Sequence, residues 1–295
     1  MEPAEAFMAE FAFCRFVHFF ALMLAFGGAA YLLLCAPDAL RPALAPAVRP
    51  IVQFAAVAGL ITAVLWVAFA TVSITGDAAS AFDARMLATV LYDTEFGRMW
   101  IPHLALTGAL VLAAFWSSGE WATPTLLAGL TLAGLALVGH AAMQGGFVGL
   151  VHRANDAAHV TAAGAWIGGL IPFVLCLGLY ARDKQRQQAV HAMMRFSFYG
   201  HFAVAAIVAT GIGNAALTTG LPWPPASPYR VLLDVKIGVV ALMISLALVN
   251  RYALVPRLAA HAGALPALRA ITLANVGLGA LVVALVSVFG MLDPG

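Results

Sequence analysis

Eight long apolar runs divide this chain and leave it one solvent to fold in. They fall at about 9–36, 51–75, 98–117, 121–143, 154–180, 192–219, 229–255 and 266–291. Each is long enough to cross roughly 30 Å of hydrocarbon at about 1.5 Å rise per residue. Only 9% of the residues are charged, against roughly a quarter in a soluble domain. Helices satisfy their backbone groups internally, which hydrocarbon demands. The sequence therefore predicts an all-α fold, a polytopic membrane helical bundle of about eight transmembrane helices. It reads as a single transmembrane domain over 1–295, set in a lipid bilayer.

Basic residues orient such a bundle. The turns after spans 1, 5 and 7 hold Arg41 and Arg49; Arg182, Lys184, Arg186 and Arg195; and Arg251, Arg257 and Arg269. The opposite side holds Arg85, Arg98, Arg153 and Arg230 with most of the acids. Both termini are thus expected on the periplasmic side. The N-terminus is acidic and its first apolar run is too long for a cleaved signal, so it should remain as a membrane helix. Cys14, Cys35 and Cys176 lie in or beside spans, and an odd count argues against a disulfide framework. No basic cluster with interleaved aromatics points to nucleic acid. Residues 78–92 read as an amphipathic helix at the outer interface. The Pro-rich stretch 221–228 reads as a loop, with Trp223 and Tyr229 at headgroup level. Gly164 and Gly168 form a small-xxx-small pattern suited to close helix packing.

Ionisable groups at membrane depth point to function. His18, His103, His140, His152 and His159, five of the eight histidines, map to the outer half. His152, Asp156 and His159 stand at i, i+4 and i+7, on one face if their helix begins early enough. His140 and Met143 stand at i and i+3 before a Gly-rich turn. Imidazole and thioether suit soft transition metals, and bundles build metal sites from facing helices. Each residue also has a plainer reading. A single intramembrane histidine is usually a hydrogen-bonded packing residue, and His152 reads equally as a solvated loop residue. Asp156 also suits a helix N-cap, Cys14 a small core position, and Arg15 a snorkelling side chain. Lys236 needs a partner, with Asn214 and Asn250 as candidates. His201 lies mid-membrane on span 6.

Several motifs together are similar to a known family. They are Arg15-Phe-Val-His18-Phe-Phe with Phe26-Gly27, Thr94-Glu-Phe-Gly97, Gly139-His140-Ala, His152, His159 and Ala165-Trp-Ile-Gly-Gly-Leu170. Arg195-Phe-Ser197, Gly211 to Asn214, Tyr229-Arg-Val-Leu-Leu233 with Lys236, Asn250-Arg251-Tyr252 and Val255-Pro256 extend the likeness over nearly the whole chain. The chain resembles the CopD family of bacterial copper-resistance and copper-homeostasis inner-membrane proteins. The resemblance implies copper handling, inward movement of copper and a periplasmic CopC-type partner. His18, His140, His152, His159 and His201 fall on family-like histidine positions; His103 does not.

The expectation is a copper-binding protein of the inner membrane, taking Cu(I) or Cu(II) at an outer-facing site. His140 and His159 are the first expected ligands, then His18, Met143 and His152, with His103 added on topology alone. Asp156 is expected to orient a ligating imidazole, and His201 and Lys236 to line an inner path. No nucleotide-binding motif accompanies them, and no nucleophile–base pairing points to an enzyme. Two alternatives remain: a b-type haem electron-transfer protein with bis-histidine ligation, and a copper sensor or assembly partner that does not transport. A cysteine placed at Asp77 should react with an impermeant thiol reagent only from the periplasmic side, and one at Lys184 only from the cytoplasm. The reverse pattern would invert the topology.

Overall fold

The protein is described here by a computed structural model, which covers residues 3–220, 227–258 and 260–294. Among these every regular element is helical. The order is α1 (Pro3–Ala30), α2 (Arg41–Thr75), α3 (Ala84–Asp93), α4 (Glu95–Trp116), α5 (Ala122–Gly134), α6 (Gly146–Tyr180), α7 (Arg186–Thr219), α8 (Pro228–Val249) and α9 (Ala264–Phe289). Seven of these segments are long and apolar enough to cross a bilayer, and the α5 segment (Ala122–Leu137) is a shorter apolar helix. The expected loop over 221–226, with Trp223, lies outside the described residues.

The sequence reading misplaces the end of the fourth span. The predicted run to 143 stops at Leu137, because Gly139 takes a left-handed φ of 81°. His140–Ala142 then forms one 3-10 turn. His140 and Met143 therefore do not share an α-helical face. Span 2 is corrected in the other direction. The expected turn around Arg41 and Arg49 is the first part of α2. Pro42 occupies an N-terminal helix position, where a missing N–H costs nothing. Arg41 donates to the carbonyls of Leu32 and Leu33, and Arg49 to that of Ser117, so both charges close helix ends.

The amphipathic stretch resolves into a 3-10 turn (Ala78–Phe82) and α3. Asp77 and Asp83 cap these through their side chains, and Thr94 caps α4 by accepting from Gly97 N. A Cβ at Gly97 would collide with the carbonyls of Val90 and Leu91, so the corner from α3 to α4 requires glycine.

α1 and α6 form the centre. α1 packs on α2, α5, α6 and α9, and α6 packs on α1, α5, α7 and α9. Their backbones meet where Gly27 faces Gly168 and where Gly168 lies against the Met23 carbonyl. Gly164 sits beneath Leu132 and Phe26. The small-residue pattern thus brings two backbones into contact, where dispersion replaces the hydrophobic effect as the packing force. α7 and α8 are peripheral and present Phe198, Phe202, Ile212 and Ile237 outward. The start of α1 and the end of α9 meet through Arg15 Nε, which donates to Ser287 O at 3.2 Å. This defines a terminal end of the bundle.

Gly168→Val should force α1 and α6 apart and destabilise the bundle by about 1–3 kcal/mol. Gly178→Val adds a side chain into open space and should be near neutral. Thermal unfolding in detergent compares the two; equal midpoints would refute the central contact.

Candidate metal sites at the terminal end

A cavity of about 190 Å³ opens near the terminal end, lined by His140, His152, Asp156, His159, Tyr229 and Lys236 among others. The early start of α6 at Gly146 makes this possible. It puts His152, Asp156 and His159 on one helical stripe facing α7 and the cavity. α7 answers with Thr210, Asn214 and Thr218, spaced four apart on its own face.

Each imidazole here donates one N–H to a protein oxygen. Thr210 Oγ1 gives its proton to the Ala206 carbonyl, so His159 Nδ1–H donates to Thr210 Oγ1 at 2.9 Å. The Gln144 amide nitrogen donates to Leu217 O, so its Oε1 accepts from His152 Nδ1–H at 3.1 Å. His140 Nε2–H donates to Leu292 O at 3.0 Å. The remaining nitrogens each carry a lone pair: Nε2 of His159 and Nδ1 of His140 face no partner, and Nε2 of His152 meets the Thr218 hydroxyl at 3.4 Å. A metal-binding histidine is normally oriented in this way. Burial also holds the His140 imidazole below its ordinary histidine value, against the opposing pull of the Leu292 carbonyl.

Asp156 departs from its expected role. It lies ten residues inside α6 and caps nothing. Its carboxylate accepts from Asn214 Nδ2 at 2.7 Å rather than from an imidazole, and Asn155 Nδ2 donates in turn to Asn214 Oδ1 and Thr210 O. This chain of amides ties α6 to α7. Arg15 does not snorkel: it is 9% exposed, with its guanidinium 5.0 Å from the Trp66 ring. Lys236 bonds to neither Asn214 nor Asn250. It shares the cavity with Asp156 and stands 5.7 Å from the Phe289 ring centre. Tyr229, expected at headgroup level, is buried edge-on against His140.

His18 and His103 form a separate group and do not line this cavity. Their Nε2 atoms lie 3.0 Å apart, and the rings are 0% and 3% exposed. The Thr62 hydroxyl donates back to the Ala58 carbonyl, so His18 Nδ1–H donates to Thr62 Oγ1 and Gly59 O. Trp100 stacks on His103 with centroids 4.4 Å apart, and Trp66 meets His18 edge-on. Cys14 is buried beside them with its thiol on the Thr62 carbonyl, matching the core reading.

Two further expectations need correction. Met143 is 70% exposed and lines neither group, because the helix that would have aimed it ends at Leu137. His201 is exposed on α7, bonded to Ser197 O and Tyr252 Oη. It lines a different cavity, of about 470 Å³, and does not continue a path with Lys236. The six expected ligands thus divide into two groups and an outlier. Among the described residues no three His, Cys, Asp or Glu side chains stand together as a ready ligand set. The residues missed by the sequence reading are Gln144, Thr210 and Thr218, and Tyr229 was read as a headgroup anchor rather than a cavity wall. The spacing of Thr210, Asn214 and Thr218 in an otherwise apolar span was the available signal.

Comparison with known proteins supplies the family. Residues 8–150 match the family model "Copper resistance protein D-like, N-terminal domain", and residues 190–289 match "Copper resistance protein D". The chain is 36% identical to the inner membrane protein YebZ of Escherichia coli over 284 residues, covering 95% of this chain and 97% of that one. It is 31% identical to copper resistance protein D of Pseudomonas syringae pv. tomato, over 83% of this chain and 84% of the relative. A shorter match, 31% over 144 residues, links 46% of this chain to 26% of the copper transport protein CutJ of Bacillus subtilis. No solved structure matches. With both segments and nearly the full length accounted for, the chain belongs to the copper resistance protein D family and is a multi-pass protein of the bacterial inner membrane.

Proposed function

We propose that the protein takes copper at its terminal end, facing the periplasm, and passes it inward across the membrane. The observation that carries this reading is the set of imidazoles in the terminal cavity: His140 and His159 each donate one N–H to protein and keep the other nitrogen free for a ligand, while His152 Nε2 meets only the Thr218 hydroxyl, at a long 3.4 Å. Copper accepts imidazole ligands readily, and the related proteins named for copper resistance and copper transport supply the metal. Asp156 provides the one carboxylate in the cavity. Arg15 and Lys236 line the same walls, and two cations near a bound cation weaken its hold. Such a site favours capture followed by release over storage. A small periplasmic copper-binding protein of the CopC type is the natural donor.

The haem alternative fits the histidines poorly. The one close pair, His18 and His103, has its nitrogens 3.0 Å apart under packed tryptophans, which leaves no slot for a porphyrin between them.

Copper bound per purified chain tests the assignment. His140→Ala and His159→Ala should each lower cavity affinity by at least about tenfold, and the double variant should hold at least one copper fewer while still inserting. An unchanged copper count in the double variant would sink the ligand assignment. Copper flux into proteoliposomes tests the transport step: retention of bound copper without flux would leave a sensor or assembly role.

A further inference from the structure

We infer that His18 and His103 form a second metal site, a dry two-coordinate seat for Cu(I) distinct from the terminal cavity. The inference rests on the copper reading above but uses none of the cavity residues.

His18 is locked. Its Nδ1–H donates to Gly59 O and Thr62 Oγ1, so its Nε2 lone pair points at His103. His103 Nδ1 is buried without any hydrogen-bond partner. Its Nε2 faces the His18 lone pair, so without a metal the proton sits on Nε2 and is donated to His18. With the proton on Nε2 the two rings share a hydrogen bond. With it on Nδ1, two lone pairs face each other across the gap, which is the arrangement a cation requires. At about 2 Å per metal–nitrogen bond a linear ion needs the two nitrogens about 4 Å apart, about 1 Å more than the 3.0 Å found. Beside His103 Nδ1 stands Gly134, whose added Cβ would lie 3.7 Å away.

Charge and ligand count select the ion. Among the described residues no third His, Cys, Asp or Glu clusters with the pair, and the Cys14 thiol beside it is engaged by the Thr62 carbonyl, so two neutral imidazoles make up the ligand set. Zinc takes four ligands and copper(II) a tetragonal set. A divalent ion would also bring twice the charge into a pocket without a compensating anion. A monovalent ion content with two ligands fits. Trp100 stacks on His103 and Trp66 meets His18 edge-on, so both provide an optical reporter within the site.

The test uses the full-length protein in detergent with Ag(I), a redox-inert ion of the same charge. A variant carrying His140→Ala, His152→Ala and His159→Ala should still bind one Ag(I) per chain and quench tryptophan fluorescence. His103→Gln should weaken that quench by at least about tenfold in Ag(I) concentration. It should leave the binding lost on cavity substitution intact, so the two sites fail separately. X-ray absorption of the Cu(I)-loaded triple variant should report two nitrogen neighbours, a readout independent of whether His103→Gln folds. Quenching unchanged in His103→Gln would overturn the inference. So would reversal of the quench by Zn(II), or three or more metal neighbours in the triple variant.

Discussion

Water is scarce at the depth where these histidines sit, and an imidazole N–H buried there must find a protein acceptor. That requirement organises the terminal half of the bundle. It places Thr210 opposite His159, Gln144 opposite His152, the Leu292 carbonyl opposite His140, and Thr62 with Gly59 opposite His18. Each pairing fixes a tautomer, and each fixed tautomer turns a lone pair in a defined direction. The same hydrogen bonds that satisfy the fold thereby set where each ring's second nitrogen points. His103 is the exception: the His18 acceptor holds its proton on Nε2, and its Nδ1 is left unpaired.

α1 connects these features. Gly27 brings it against α6, Arg15 reaches the α9 backbone and lines the cavity, and His18 meets His103 on α4. One helix thus contributes to the central packing and to both histidine groups. A shift of α1 would alter both groups together, whereas the amide chain through Asn155, Asn214 and Asp156 affects only the α6–α7 side.

Much of this was legible in the sequence, for identifiable reasons. The succession of apolar segments, the all-helical class and the Gly164–Gly168 contact follow from periodicity and composition, which depend on local chain properties. The shared face of His152, Asp156 and His159 also follows, since fixed spacing on one helix requires no tertiary knowledge. What failed depended on neighbours in space. Gly139 ended α5 early and detached Met143 from any ligand face. Arg15 looked close enough to the surface to snorkel, but α9 covers it with an acceptor. His103 matched no familiar position, and only the approach of α4 to α1 gave it a partner. The Thr210, Asn214 and Thr218 stripe was readable in principle, being three polar residues at helical spacing in an apolar span.

The brevity of α5 has a consequence for the surrounding lipid. Its sixteen residues, Ala122–Leu137, span about 24 Å, some 6 Å short of a typical hydrocarbon thickness. Hydrophobic mismatch of this size draws headgroups and water toward the shorter element. The chain turns at Gly139 just there, beside the cavity mouth. A bilayer around this element would thin locally, which would bring the headgroup layer closer to the cavity mouth.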